Sequence, residues 1–179
     1  MGDSVFCHFL ETKLSDPDPK ATALSARQES FNKSLLGEDE LGAVIRGHIH
    51  IEHELIEFIR ARLSPPEALE ALDLDYEGRI KLAIGLGLDK SLRPALRAVG
   101  ALRNKFAHRL GTEIVADDAT KIFDSLDAQA KEVVNFGYQR TRKILPQEKK
   151  PSNYKSLSPR DQCILYFVVI WAAIASKSL

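Results

Sequence analysis

"GEDELGAVIRGHIHIEHELIEFIRARLSPP", Gly37 to Pro66, is the stretch whose reading decides the fold. Its apolar residues Leu41, Val44, Ile45, Ile49, Ile51, Leu55, Ile56, Ile59 and Leu63 recur at intervals of three and four, with Ile51 slightly off the stripe. That interval is the period of a helix. Acidic residues lead the stretch and arginines close it, as the helix dipole favours. Pro65 and Pro66 stop it. The spacing predicts the longest helix of the chain, about seven turns.

Outward from this helix the pattern stays helical. On its N-terminal side, residues 1–22 contain "LSDPDPK", which is turn chemistry, and are expected to be a flexible segment. A short helix is expected from Ala23 to Asn32. On the other side, "PPEALEALDL" reads as one or two helical turns. "YEGRIKLAIGLGL" is amphipathic and holds Gly78, Gly85 and Gly87. Gly85 and Gly87 either allow close helix approach or, at Gly87, end the helix. "DKSLRPALRAVGALRNKFAHRLG" has Asp89 or Ser91 as its cap and Gly111 where a left-handed C-terminal cap belongs. "ADDATKIFDSLDAQAKEVVNFGYQR" reads as one further helix. Ser158 with Pro159 opens the last one. No stretch alternates with period two, and there are no internal repeats. The chain is therefore predicted to be an all-α bundle of five to six helices. Its core is expected over 23–139, followed by a basic linker over 140–157. A C-terminal hydrophobic helix over 158–179 would pack on that core.

Composition bounds the rest. A chain of 179 residues buries roughly 70% of its unfolded surface and needs no disulfide or metal to hold it. Lys and Arg number 25, as do Asp and Glu, so global charge argues for no nucleic-acid partner and only a local patch could. The two cysteines, Cys7 and Cys163, are too far apart for a zinc knuckle and point to a reduced, cytoplasmic setting. "MGDSVFCHFL" lacks a signal peptide's basic start and long apolar stretch, and Phe6 stands where a myristoylation signal wants Ser or Thr. "ILYFVVIWAAIA", Ile164 to Ala175, is 12 residues long. That is too short to span a bilayer, so it reads as a buried helix with no membrane role.

The candidate site lies on the helix that ends in "ALRNKFAHRLG", Ala101 to Gly111. Stepping about 100° per residue puts Leu92, Leu96, Val99, Leu102, Phe106 and Leu110 on one face. Arg93, Arg97, Asn104 and His108 form a second stripe, where Asn104 and His108 can touch. Arg103 falls within the apolar face, about 140° from His108 on an ideal helix. The two converge only if the helix distorts, the arginine reaches round, or a second subunit supplies one of them. In the alternative reading, Arg103 bonds a carboxylate of the long helix, Glu54 or Glu57, and His108 merely suits the negative helix end.

Eight basic residues stand between Arg79 and Arg109 against one acid, Asp89. Arg79, Lys81, Arg93, Arg97, Lys105 and Arg109 are accordingly candidates for binding a polyanion. A solvated face balanced by neighbouring acids explains them as well. Aromatic interleaving is thin, with only Phe106 and Tyr76 close.

"HIHIEHE" offers His48, His50, His53 and Glu54, with Glu57 beyond. A zinc protease needs H-E-x-x-H, and here the second histidine is missing. A di-metal bundle needs Glu-x-x-His on two helices, and only one cluster exists. No metal or cofactor is expected. The histidines read as neutral polar positions on a packed helix, or as partners for Arg103 or His108.

"GRIKLAIGLGL" followed by "ALRNKFAH" resembles the mannitol operon repressor (MltR-like) family, over roughly residues 40–136. The R-x4-H element of Arg103 and His108, with Asn104 beside the arginine, also resembles the signature of the wider HEPN-like helical superfamily. The resemblance implies an all-α bundle that tends to dimerise and lacks a helix-turn-helix. In the first branch it implies transcriptional repression of sugar-uptake operons. In catalytic HEPN members it implies metal-independent RNA cleavage between two subunits, with Arg103, Asn104 and His108 in the catalytic positions. The His-rich run and the basic linker depart from what the family suggests.

The function expected from these readings is a helical regulator, dimeric, that binds a protein or nucleic-acid partner. The runner-up is an endoribonuclease. Direct sequence-specific reading of DNA is not expected, since no recognition helix follows a tight turn.

Overall fold

A computed structural model describes residues 19–108, 111–144 and 153–178. Among them are seven α-helices and no strand. They are α1 (Pro19–Leu36), α2 (Glu40–Arg60), α3 (Tyr76–Gly85), α4 (Arg93–Ala107), α5 (Ala116–Ser125), α6 (Ala128–Ile144) and α7 (Pro159–Ala175). Short 3-10 turns occupy Pro66–Leu72, Lys90–Leu92 and Tyr154–Ser156.

The helices start where short polar side chains satisfy their first amides. Asp39 accepts from Gly42 N at 2.7 Å before α2. Asp75 does the same for Gly78 N at 2.7 Å before α3. Ser158 accepts from Asp161 N at 3.1 Å before α7, whose first residue is Pro159. Asp89 caps the turn that leads into α4. α3 is stopped by Gly87, just past its C-cap Leu86, where φ is +100°. Gly87 N donates to Ile84 O at 3.0 Å and Leu88 N to Ala83 O at 2.9 Å, the paired bonds of a left-handed helix stop. Of the two roles open to this glycine pair, ending the helix is the one found, and nothing lies near Gly85 or Gly87 for a close approach to serve.

The helix count exceeds the expected five to six because residues 116–144 hold two helices. Leu126 turns extended after α5, and Asp127 then accepts from Ala130 N at 2.7 Å to start α6. The other Asp127 oxygen takes the Ser91 hydroxyl at 2.7 Å, tying this break to the start of α4. Two further boundaries move. α1 begins at Pro19, inside the segment expected to be flexible, and α6 runs to Ile144, inside the expected linker. Residues 1–18, with Cys7, and 145–152 lie outside the described residues.

α7 is the centre of the core. It is buried nearly all round and packs against α1, α2, α5 and α6. It comes close to α2 at Gly47, where a Cβ would lie 2.5 Å from the Phe167 ring. Burial drives the free thiol of Cys163 on this helix up to about 12, so it is an inert core residue. Among the described residues, no helix is long and apolar enough to cross a membrane.

α2 corrects the sequence reading in one respect. Ile51, expected off the stripe, is fully buried at 0% exposure, while Leu41 and Ile49 are 50% and 56% exposed. The core side of α2 is Ala43, Val44, Gly47, His48, Ile51, Leu55, Phe58 and Ile59. Leu41, Ile45 and Ile49 form a separate, outward row.

Candidate functional site

α4 presents its apolar residues Leu96, Val99, Leu102 and Phe106 to the core. Gly100, also buried, lets Tyr76 of α3 lie across the helix, since a Cβ there would meet the Tyr76 ring at 2.9 Å. Tyr76 donates its hydroxyl to Leu96 O at 3.1 Å, so α3 is latched onto the backbone of α4. Burial, reinforced by Glu52 and Glu77, pushes the Tyr76 phenol far above its ordinary range and keeps it a neutral donor.

At the end of α4, Arg103, Asn104 and His108 are all exposed. Arg103 occupies the apolar face by position, yet its guanidinium reaches water, as a long cationic side chain can. There it donates to Asn104 Oδ1 at 2.9 Å. It does not bond Glu54 or Glu57, which pair instead with Arg27 of α1 and with Arg60. His108 caps the helix at φ −109°, ψ −1° and makes no hydrogen bond or ion pair among the described residues. The structure thus places all three motif side chains in solvent at one helix end. It joins Arg103 to Asn104 but not either of them to His108. Gly111 has φ +70°, but the helix has already ended four residues earlier, at Ala107.

The basic stripe is mostly matched by acids from other elements. Arg79 of α3 pairs with Glu52 of α2. Arg93 and Arg97 share Glu77 of α3, at 2.8 and 3.3 Å. The bond from Arg93, with Arg97 and Lys81 nearby, holds the Glu77 carboxyl below its ordinary range. Lys105 pairs with Asp118 of α5 at 2.6 Å and donates to Glu113 O at 3.2 Å. Lys81 is exposed and forms no ion pair among the described residues. Arg109 lies outside the described residues. Among the described residues, Lys81, Lys90 and Arg103 are therefore the cations of the stripe that no carboxylate holds. Glu52, Glu77 and Asp118 were the partners that sequence spacing could not supply, because they lie 13 to 27 positions from the residues they bind.

The three histidines of α2 face three environments. His48 is 4% exposed, with its ring centroid 4.4 Å from that of Tyr76 and Nδ1 3.7 Å from Glu52 Oε2. Burial lowers its pKa, Glu52 opposes that, and the nearby Arg103 charge adds to it. His50 lies against Phe31 of α1, at 4.7 Å between ring centroids, with Nε2 3.4 Å from the Ser34 hydroxyl. Its pKa is also lowered, chiefly by burial. His53 is exposed. Among the described residues no three His, Cys, Asp or Glu side chains converge as metal ligands. His48 is linked to this site only by the Arg103 charge that acts on its ring.

No family model, curated protein or solved structure matches the chain.

Proposed function

We propose that the protein works by binding, as a helical regulator of the kind its resemblance to mannitol operon repressors implies. It engages a phosphate-bearing partner, RNA, through the open end of α4. One observation carries this reading: Arg103 stays in solvent, oriented by Asn104, while Arg79, Arg93, Arg97 and Lys105 around it are held by acids. An uncommitted guanidinium with fixed orientation suits bidentate contact to phosphate. Lys81 and the partly exposed Arg97 would add long-range attraction.

Filter binding to a single-stranded RNA at low salt tests it. Arg103→Ala should weaken binding by about tenfold and flatten the salt slope by about one ion. No binding by the parent, or equal binding by both, would remove the reading.

A second reading is metal-independent RNA cleavage, and the exposure of His108 at the same helix end favours it. The His108 imidazole would move the proton at the 2′-hydroxyl or the leaving oxygen. Arg103 would stabilise the phosphorane charge, and Asn104 would hold the guanidinium or the phosphate. Incubation with RNA in EDTA beside His108→Ala separates the two readings. Cleavage by the parent and none by the variant establishes chemistry, and equal background in both leaves binding alone.

A further inference from the structure

The ion pairs along α4 are unequal. Among the described residues, Glu52 and Asp118 each pair with one Lys or Arg, whereas Arg93 and Arg97 share Glu77, at 2.8 and 3.3 Å. Lys81 stands one turn on from Glu77 along α3, exposed, and its charge acts on the same carboxylate without bonding it. Three cations thus gather round one carboxylate, and two positive charges are left unmatched. A solvated face balanced by neighbouring acids would show one acid for each cation. The Tyr76 bond to Leu96 O holds α3 against α4 and with it the cluster. Arg93 turns Nη2 to Glu77 and Arg97 turns Nε to it. Arg97, 63% exposed, forms no hydrogen bond through its Nη groups among the described residues. A guanidinium steadied at its base and open at its tip suits bidentate contact with phosphate oxygens.

We infer that Lys81, Arg93 and Arg97 form a second phosphate-binding site, aligned with the end of α4 along one side of that helix. The charge selects the ligand. A phosphate monoester carries about −1.5 to −2, and two adjacent phosphates of a strand carry about −2, which matches the unmatched charge of the cluster. Stepping about 100° per residue sets Arg93, Arg97, Asn104 and His108 within about 60° of one another. Arg97 and Asn104 lie about 10 Å apart along the axis, with the small, exposed Ala101 between them. That side of α4 is an open track with the Glu77-centred cluster at its start and the Arg103–Asn104 pair at its end. A strand of RNA laid along it reaches both, and a single phosphate ester fills only the first. The site stands independently of the function proposed above; its use by RNA rests on that reading.

A Lys81→Ala, Arg97→Ala double variant of the full chain gives the test. It should keep the parent's thermal midpoint, since Lys81 bonds no carboxylate and an exposed pair such as Arg97–Glu77 contributes little. Inorganic phosphate, compared by NMR with sodium chloride of equal ionic strength, should shift the backbone amides of Arg93 and Arg97 saturably in the parent and not in the variant. No phosphate-specific shift in the parent, or the same shift in the variant, would overturn the site. On single-stranded RNA the double variant should flatten the salt slope by about two ions, where Arg103→Ala flattens it by about one. RNA binding that Arg103→Ala weakens and the double variant leaves unchanged would overturn the alignment. A phosphate shift without RNA binding would keep the site, assign it a free phosphate ester and remove the reading at the end of α4.

Discussion

His48 and His50 sit two residues apart and are both held neutral by burial, but on opposite sides of α2. Their environments carry a pH dependence whose sign is fixed. The lowered pKa means that the unfolded chain takes up protons, near the ordinary value of 6.5, before the folded chain does. Stability is thus fully present above about pH 6.5 and falls as pH drops through that value toward the folded pKa. Around His48 the opposing charges are Glu52, which favours protonation, and Arg103, which disfavours it; around His50 they are Glu54 against His53 and Arg46. Urea midpoints measured at about pH 7.5 and about pH 5.5, a window below which carboxylates begin to titrate, should fall on acidification. In a His48→Gln, His50→Gln double variant that fall should shrink. An unchanged slope would mean that the two rings do not carry the effect. Glu54 makes a related point. It is 2% exposed, pairs with Arg27 through one oxygen and leaves Oε2 without a partner. Truncating Arg27 would strand a buried carboxylate, so this pair fixes the α1–α2 register more than it adds net stability.

At the scale of an element, two glycines on neighbouring helices make opposite predictions. Gly47→Ala gains helix propensity worth up to about 1 kcal/mol. It also drives a methyl to within 2.5 Å of the Phe167 ring at the α2–α7 crossing. Overpacking of that kind costs about 1–3 kcal/mol, so the variant should melt lower. Gly85→Ala at the end of α3 meets nothing within 4 Å and should melt slightly higher. A calorimetric scan of the two side by side checks both. The sequence carries no trace of this difference, since both glycines sit in helical periodicity and differ only in what crosses them. The same limit explains what was legible elsewhere. Helix starts were readable at Asp89 and Ser158 because a cap bonds within a few residues. The break at Leu126 was not, since neither glycine nor proline marks it and Asp127 serves as the next cap. α2 has apolar residues on two sides, so periodicity established a helix but could not choose which row faces the core. The α4 end was legible as a motif. Its surroundings were not, because whether a basic residue is free depends on acids brought in by folding, as Glu77 and Asp118 are.

The whole molecule turns on α7. Last of the described helices, it lies between the α1–α2 hairpin and the α5–α6 pair, so early and late segments of the chain meet on it. Tyr166, Phe167 and Ile170 are buried on its different sides, and Trp171 packs against Phe31 at 5.5 Å between ring centroids. Phe123 of α5 reaches Tyr166 at 5.6 Å and Tyr154 at 5.4 Å, which anchors the turn before α7 as well. A helix that contacts so many others cannot be a later addition to a finished core. Without it, Phe31 would lose its Trp171 neighbour and the faces of α1, α2, α5 and α6 turned to α7 would lose theirs. Burial is worth about 1.5–3 kcal/mol per large apolar side chain, a large share of the few kcal/mol by which a domain of this size is stable. A chain ending at Leu157 should therefore keep helical circular dichroism but lose its cooperative urea transition. Phe167→Ala in the full chain should retain the transition and lower stability by about 3–5 kcal/mol. A truncated chain that unfolds sharply, with the slope of the parent, would mean that the first six helices possess a core of their own.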